Sequence, residues 1–477
     1  MSWNAKGYAR YALLLIGGFC LAHGAPSEGA TRTLAFQIFT GADASSALEQ
    51  NIPPQPADLH RTIRNLRDRI GVPSSSGRRL GFVLGPIALD HSDDQVRALV
   101  SEGFDIALET GVAVGFHIDD SMFWGRLTTL NAPENLEWLD WRGTPNGGRR
   151  LDWSAQPTKI MPQLCFNSTG VVRAVTTRAA LIGHEVRLGL ERLRTARKEE
   201  LFLGVIAGWE TQIGRDFDSG KSLGYCALTN AGYSYRQPPT DPDTARASIV
   251  AEFIALWARS LVAGGVPKGA IYSHIAFTSL PAYRANPAGA SYLQTINFAP
   301  PATAFCDDCV PGLTTYPQPG HLEQWRAELT TRGDQPWASC EGTAIDPAQA
   351  GRSGSGTDME GYLGRLYNSG AVLVNLFGWS VGAADNPFRT AAEGPKALEA
   401  YRKFLRGAPL TETALGAPAA GLADKIHHLQ ALLPAWVRIH GAARIQNDLN
   451  TLEDAIRSRD SAAASEAADA ILKVVER

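Results

Sequence analysis

The chain has 477 residues, with 45 Lys and Arg against 48 Asp and Glu and a formal net charge of −3. That balance excludes the basic patch or stripe of a nucleic-acid binder. The length exceeds what one small core uses and suits a large barrel, which reaches roughly 250 to 400 residues with insertions.

The opening, "MSWNAKGYARYALLLIGGFCLAHGAPSEG", sets Lys6 and Arg10 ahead of an apolar run and follows it with Ala22-His23-Gly24, a small-residue cleavage site. It reads as a signal peptide over residues 1–24 and predicts a secreted or periplasmic protein. A spanning helix needs about 20 apolar residues, and this run is shorter. Cys20 follows Phe19, which is too large for the usual lipidation pattern, and no later segment reads as a membrane span. Five cysteines follow the leader: Cys165, Cys226, Cys306, Cys309 and Cys340. In an exported chain the expected pairs are Cys306 with Cys309 and Cys165 with Cys226. Zinc is disfavoured, because no second C-x-x-C and no H-x-x-x-H supplies further ligands.

In chain order, short runs rich in Val, Ile, Leu and Phe predict strands at 33–39, 79–85, 112–118, 201–208, 270–277, 312–316, 336–340 and 371–379. Helical patterns alternate with them: 56–70, 92–111, 176–200, 320–333, 356–370 and 391–407. From Asp243 onward, Ile249, Phe253, Leu256, Trp257 and Leu261 form one face of another helix. Only the stretch between the fifth and sixth strands lacks a clear helix. Eight strands with alternating helices predict an α/β fold, a (β/α)8 TIM barrel over 31–410. The competing doubly wound open sheet calls for a Gly-rich phosphate turn after the first strand, which "FTGADASS" does not supply.

Two regions stand outside the repeat. Residues 121–172 form a long insertion after strand 3, with Trp124, Trp138, Trp141 and Trp153. After "GAPLTETALGAPAAG", which reads as a linker, residues 420–477 form a C-terminal helical appendage.

A barrel builds its active site at the C-terminal ends of its strands. The run "LFLGVIAG" releases into Trp209 and Glu210 at that face. The third strand ends in His117, Asp119 and Asp120; the fifth carries His274, the sixth Tyr316, the seventh Glu341 and the eighth Trp379. Glutamates after the fourth and seventh strands face each other across the mouth. Such a pair suits glycoside cleavage, where one carboxyl protonates the leaving oxygen and the other attacks or activates water.

This arrangement resembles the clan A glycoside hydrolases, over about residues 33–406. The resemblance implies Glu210 in "AGWE" as acid/base and Glu341 in "ASCEG" as nucleophile, with Tyr316 contacting the nucleophile and Trp379 ending strand eight. It implies a retaining mechanism, with the carboxyl groups roughly 5 to 5.5 Å apart, a carbohydrate substrate, and no metal or organic cofactor. Clan members usually carry Asn before the acid/base; here it is Trp209. Asp120 or His117 is the candidate for the missing polar contact, and Asp119, Asp120 and the insertion's Trp124 and Trp141 are candidates for sugar subsites.

Other readings of the same residues stay open. Glu210 could cap a helix or pair with Arg215, Glu341 could belong to an ordinary turn, Asp119 could pair with Arg126, and His117 could be a satisfied core histidine. An inverting enzyme would use Asp120 with Glu210. A non-catalytic carbohydrate-binding barrel of the cell envelope would need neither. No G-x-S-x-G or H-E-x-x-H is present to support another hydrolase chemistry.

Overall fold

The eight apolar runs are strands in the computed structural model, which describes residues 31–39, 56–151, 158–276, 299–316, 321–345, 358–411, 429, 446–457 and 461–475. They are β1 (Arg32–Phe39), β2 (Arg78–Ala88), β3 (Ala113–Asp119), β4 (Phe202–Ala207), β5 (Ile271–Ser273), β6 (Gly312–Thr314), β7 (Trp337–Glu341) and β8 (Ala371–Leu376). Neighbours are parallel and run in the spatial order β5-β4-β3-β2-β1-β8-β7-β6. The two ends of that order meet. Tyr272 bridges Val310 and Ile275 bridges Leu313, both in parallel. The Val310 N–H donates to the Ile271 carbonyl at 2.8 Å, and the Thr314 N–H to that of Ile275 at 2.9 Å. The sheet is therefore closed, a (β/α)8 barrel, and an open sheet with two free edges is excluded.

Helices alternate with the strands: α1 (Pro56–Ile70), α2 (Asp93–Thr110), α3 (Thr169–Thr195), α4 (Tyr225–Asn230), α5 (Pro242–Gly264), α6 (His321–Thr331), α7 (Met359–Asn368), α8 (Pro387–Glu393) and α9 (Pro395–Leu405). Their boundaries have local causes. Ser92 caps α2 in a capping box with Gln95, and Gly111 ends it at φ 70°. Asp241 caps α5, with Pro242 in the first turn. By length and composition α5 could cross a bilayer, yet its predicted apolar face is buried, with Phe253 stacked on Phe166 at 3.9 Å. Between β5 and β6 the described residues hold a short 3-10 turn, Pro301–Ala304; residues 277–298 lie outside the described ones.

The 121–172 insertion contains an antiparallel hairpin, Arg149–Leu151 with Thr158–Ile160. Buried Glu137 ties it to the start of α4, its Oε2 accepting from the Cys226 N–H at 3.1 Å and the Ala227 N–H at 3.4 Å. Trp153 lies outside the described residues, as do the expected leader and most of the linker.

The barrel belongs to a compact unit of Pro26–Pro317 and Trp325–Leu410. A second unit includes Thr411–Arg477, where α10 (Gln446–Arg457) and α11 (Ser461–Val475) pack on each other.

Outward residues of the strands meet the helices. Phe36 lies 5.1 Å from Tyr401 of α9, ring to ring. Inside, the usual filling of Val, Ile and Leu is replaced near the strand ends by Gln37, His117, His274, Ser339 and Asn375, all fully buried. Buried polar groups are costly unless hydrogen-bonded. Here Gln37, His117, His274 and Asn375 bond one another and Ser339 bonds Thr315 Oγ1, which builds a polar floor beneath the barrel mouth, with Gln37 Nε2 and Asn375 Oδ1 buried without a hydrogen-bond partner.

Candidate active site

The chain leaves β4 through a strained turn. Gly208 has φ +111° and Glu210 has φ +55°. A Cβ at Gly208 would lie 2.3 Å from Thr211 Oγ1, so the first position demands glycine. Glu210 has no such exemption, and a left-handed non-glycine residue persists only where its surroundings hold it. Thr211 does the holding: its N–H donates to the His274 carbonyl at 3.1 Å and its hydroxyl to Asp120 Oδ2 at 2.6 Å. The Glu210 side chain is 8 % exposed, and its Oε1 meets Thr314 Oγ1 at 2.7 Å.

Glu341 is the last residue of β7 and is 7 % exposed. The Tyr316 hydroxyl donates to its Oε1 at 3.0 Å, while Oε2 is buried without a hydrogen-bond partner. Burial, reinforced by the charge of Glu210, pushes the Glu341 carboxyl up to about 8; the Tyr316 hydroxyl and the Trp209 indole N–H pull the other way. Only the Tyr316 contact is a well-formed hydrogen bond. Two carboxyls that feel each other in a site this dry titrate as a pair and retain one proton near neutrality.

Aromatic rings adjoin the pair. Trp209 is buried, stacked face to face on His117 at 3.9 Å, with Phe39 at 5.7 Å. Phe377 lies 5.6 Å from Phe39 and 6.4 Å from Tyr316. Phe39, Phe377 and Tyr316 are partly exposed. Trp379 does not join them. It packs edge-on against the outward ring of Phe36 at 5.1 Å, under the Arg69 guanidinium. The turn after β8 thus sends Phe377 to the mouth and Trp379 to the helix layer. Trp124 is fully buried, its indole N–H donating to the Pro162 carbonyl at 3.2 Å. Trp141 packs on Tyr225 of α4 at 5.1 Å.

His117, His274, Asp119 and Asp120 converge behind the pair, fully buried. Asp119 Oδ1 accepts the N–H groups of Ser121, Met122 and Phe123 at 3.2, 2.7 and 3.3 Å, turning the chain after β3. Burial and the adjacent Asp120 charge push its carboxyl up to about 7. Asp120 accepts from the Thr211 and Ser121 hydroxyls, and Trp209 N–H points at it from 3.4 Å. Its pKa is raised by burial. Asp120 holds the Glu210 turn and Asp119 the turn after β3; neither has surface to offer a sugar, and the same burial keeps His117 from a substrate hydroxyl.

Other residues of the site were not singled out from sequence. Gln37, Asn375 and Thr314 complete the polar floor. Phe39 and Phe377 supply the open aromatic faces. Arg149, from the insertion hairpin, is buried beside Asp120, Asp119 and Glu210, whose charges oppose the cost of burying the guanidinium; it donates to Gln163 Oε1 at 3.2 Å. Gln37 and Asn375 had a readable signal, a lone amide inside an apolar strand. Arg149 had none, since only the folded insertion brings it near.

Cys306 and Cys309 form a disulfide. Cys165 and Cys226 are neighbours, but as free buried thiols rather than the expected bond. The Cys226 thiol, followed by burial, pushes the Cys165 thiol up. Among the described residues no group of three or more His, Cys, Asp or Glu is placed to hold a metal ion.

No protein-family model and no curated protein matches the chain. Solved structures similar to it include a GH5-4 broad specificity endoglucanase from an uncultured bacterium, at 9 % identity and TM-score 0.40, covering 78 % of this chain and 94 % of that one. A GH42 beta-galactosidase from G. stearothermophilus matches at 11 % identity and TM-score 0.42, covering 87 % and 65 %. A beta-galactosidase from the psychrophilic Marinomonas ef1 matches at 11 % identity and TM-score 0.45, covering 83 % and 61 %. The chain spans less than two thirds of the length of these two galactosidases. These neighbours are (β/α)8 glycoside hydrolases, and the likeness is one of fold alone.

Proposed function

We propose that the barrel is an exported glycoside hydrolase that cleaves an oligo- or polysaccharide with retention, using Glu210 as general acid/base and Glu341 as nucleophile. The coupled pair of buried carboxyls at the ends of β4 and β7 carries this reading. One proton shared by the pair gives the chemistry both of its parts at once. Glu210 protonates the glycosidic oxygen while ionised Glu341 attacks the anomeric carbon. Glu210 then takes a proton from water as water displaces Glu341 from the glycosyl-enzyme.

Several features of the site support these roles. The Tyr316 hydroxyl stabilises a charge on Glu341 before attack. The left-handed Glu210 is backbone strain of the kind that gathers at reactive residues. Phe39 and Phe377 offer faces on which a sugar ring can stack. The Trp209 indole N–H, beside Glu341, is the donor standing where clan members carry Asn. An inverting scheme through Asp120 is disfavoured, because that carboxylate is buried and occupied by Thr211, Ser121 and the Trp209 N–H.

The test is release of reducing ends from a panel of bacterial and plant polysaccharides by the parent, Glu210→Gln and Glu341→Gln. Loss of most of the parent rate in both variants supports the assignment. Variants as active as the parent would refute it. Binding without turnover by the parent would instead favour a carbohydrate-binding barrel.

A further inference from the structure

At the face opposite the mouth, β1 and β2 open on Arg32 and Arg78. The two are register partners across the parallel pair, so they stand one strand spacing apart, about 4.8 Å, and their side chains leave the sheet on the same side. That side is the helix layer. Arg32 is four residues before Phe36, which meets Tyr401 of α9, and the Arg78 guanidinium lies over the Phe404 ring of α9 at 4.9 Å. Both arginines are partly exposed at the rim. We infer that Arg32 and Arg78 form an oxyanion site for a phosphate monoester or free phosphate, on the face of the barrel remote from the glutamates.

The charge around the pair does not balance. Among the described residues no carboxylate pairs with either guanidinium, and Arg78 Nε is buried without a hydrogen-bond partner. Burial, and then the Arg32 charge, hold Arg78 below its ordinary pKa; the group that opposes them is the Tyr367 hydroxyl. That phenol is neutral, since burial holds it well above its ordinary value, and its proton goes to the Thr33 carbonyl at 2.8 Å. Neighbouring cations are better placed. Arg79, on the other face of β2, donates to the Phe202 carbonyl at 3.2 Å, Lys403 pairs with Glu360 at 2.5 Å and Arg406 with Glu399 at 2.8 Å.

Like charges side by side at a partly buried rim repel, which lowers stability until an anion offsets them. The carboxyl end of α9 supplies about half a negative charge against two whole positive ones, and its Leu405 carbonyl already accepts from the Ser74 N–H at 3.2 Å. The lower face of a barrel ordinarily serves stability; this pair opposes it.

The surroundings match the shape and charge of phosphate. The link into β2 reads Ser74-Ser75-Ser76-Gly77. It is fixed beside the pair, the Arg32 N–H donating to the Gly77 carbonyl at 2.9 Å and the Arg78 N–H to that of Ser75 at 3.3 Å. Ser76 is exposed, leaving a hydroxyl next to the guanidiniums. Each guanidinium fork can take two oxygens of one phosphate. A phosphate monoester carries a charge of about −1.5 to −2 near neutral pH, which offsets two arginines where a carboxylate would offset one.

The experiment needs no glycan, so its outcome is separate from that of the glycosidase assays. The melting temperature of the full-length protein is followed in phosphate and in chloride at equal ionic strength, beside Arg32→Gln, Arg78→Gln and Arg97→Gln. Arg97 belongs to α2 and pairs with Asp94 at 3.0 Å, so its variant removes the same charge away from the site. Phosphate should raise the parent and Arg97→Gln by roughly 2 °C over the salting effect common to all four, and should not so raise the other two. In chloride Arg32→Gln should melt no lower than the parent, because it ends the repulsion; a lower value would make Arg32 a structural residue and overturn the site. Flotation with phosphatidylcholine vesicles carrying phosphatidic acid separates the sources. Vesicle binding lost in Arg32→Gln assigns the phosphate to a lipid headgroup, and stabilisation by phosphate without vesicle binding assigns it to a free anion. A parent that answers to neither probe, or an Arg32→Gln variant that answers as the parent does, would overturn the inference.

Discussion

The Tyr316 hydroxyl donates to Glu341 Oε1 at 3.0 Å, and it is the one well-formed hydrogen bond to a carboxyl that burial works to neutralise. Removing it with Tyr316→Phe leaves Glu341 harder to ionise. The acid limb of kcat/KM should move to higher pH, and the rate at the optimum should fall by roughly 10- to 100-fold, the effect of about 1.5 to 3 kcal/mol for a hydrogen bond to a charged group. A pH–rate profile of the variant beside the parent reads both effects. An unchanged acid limb would separate Tyr316 from the nucleophile.

The alkaline limb has its own origin. Mutual repulsion and burial keep one proton on the pair of carboxyls up to about pH 8. Above that pH both carboxyls are charged and no acid remains, so kcat/KM should fall with rising pH. In Glu341→Gln, residual rates on a substrate with a good leaving group should lack this limb.

Strain at Glu210 predicts a trade of stability for activity. Asn tolerates the left-handed region better than Glu, and its neutral side chain ends the repulsion of Glu341. Glu210→Asn should be inactive yet more stable than the parent by about 1 kcal/mol in urea unfolding. Gly208→Ala, in contrast, should destabilise by roughly 1 to 3 kcal/mol, since its Cβ would meet Thr211 Oγ1.

The aromatic partition separates binding from packing. Phe377→Ala should raise KM for the substrate found in the panel while leaving thermal stability close to that of the parent. Trp379→Ala should lower stability by about 3 to 5 kcal/mol, as for a large buried ring, with KM unchanged in whatever folds.

Away from the mouth, burial pushes Glu137 up to about 8. The sign follows from linkage: a carboxyl whose pKa is raised by folding binds more protons in the native state, so stability is greatest below its unfolded pKa and declines as pH rises to about 8. Glu137→Gln mimics the protonated form. Its melting temperature should be flatter between pH 5 and 8 than that of the parent, retaining the declines from Asp119, Asp120 and Glu341, whose carboxyls burial also raises.

Much of this was legible from residues alone. All eight strands announced themselves as apolar runs, because a parallel barrel buries both faces of its strands. Glu210 and Glu341 were readable as carboxylates placed just where such runs end. Trp379 was misplaced because sequence gives the distance along the turn after β8 but not its direction, and two residues separate the mouth from the helix layer. Asp120 and His117 looked available for substrate since burial behind the site cannot be told from exposure within it. Arg149 is a matter of tertiary contact alone.

The most direct measurement is covalent trapping. The protein is incubated with activated 2-deoxy-2-fluoro glycosides of the common hexoses and pentoses, then digested and mapped by mass spectrometry. A nucleophilic glutamate predicts one added glycosyl group on the peptide containing Glu341, accumulating in the parent and absent from Glu341→Gln. A label on any other residue, or turnover of a natural substrate with inversion of the anomer, would contradict the two-glutamate retaining mechanism.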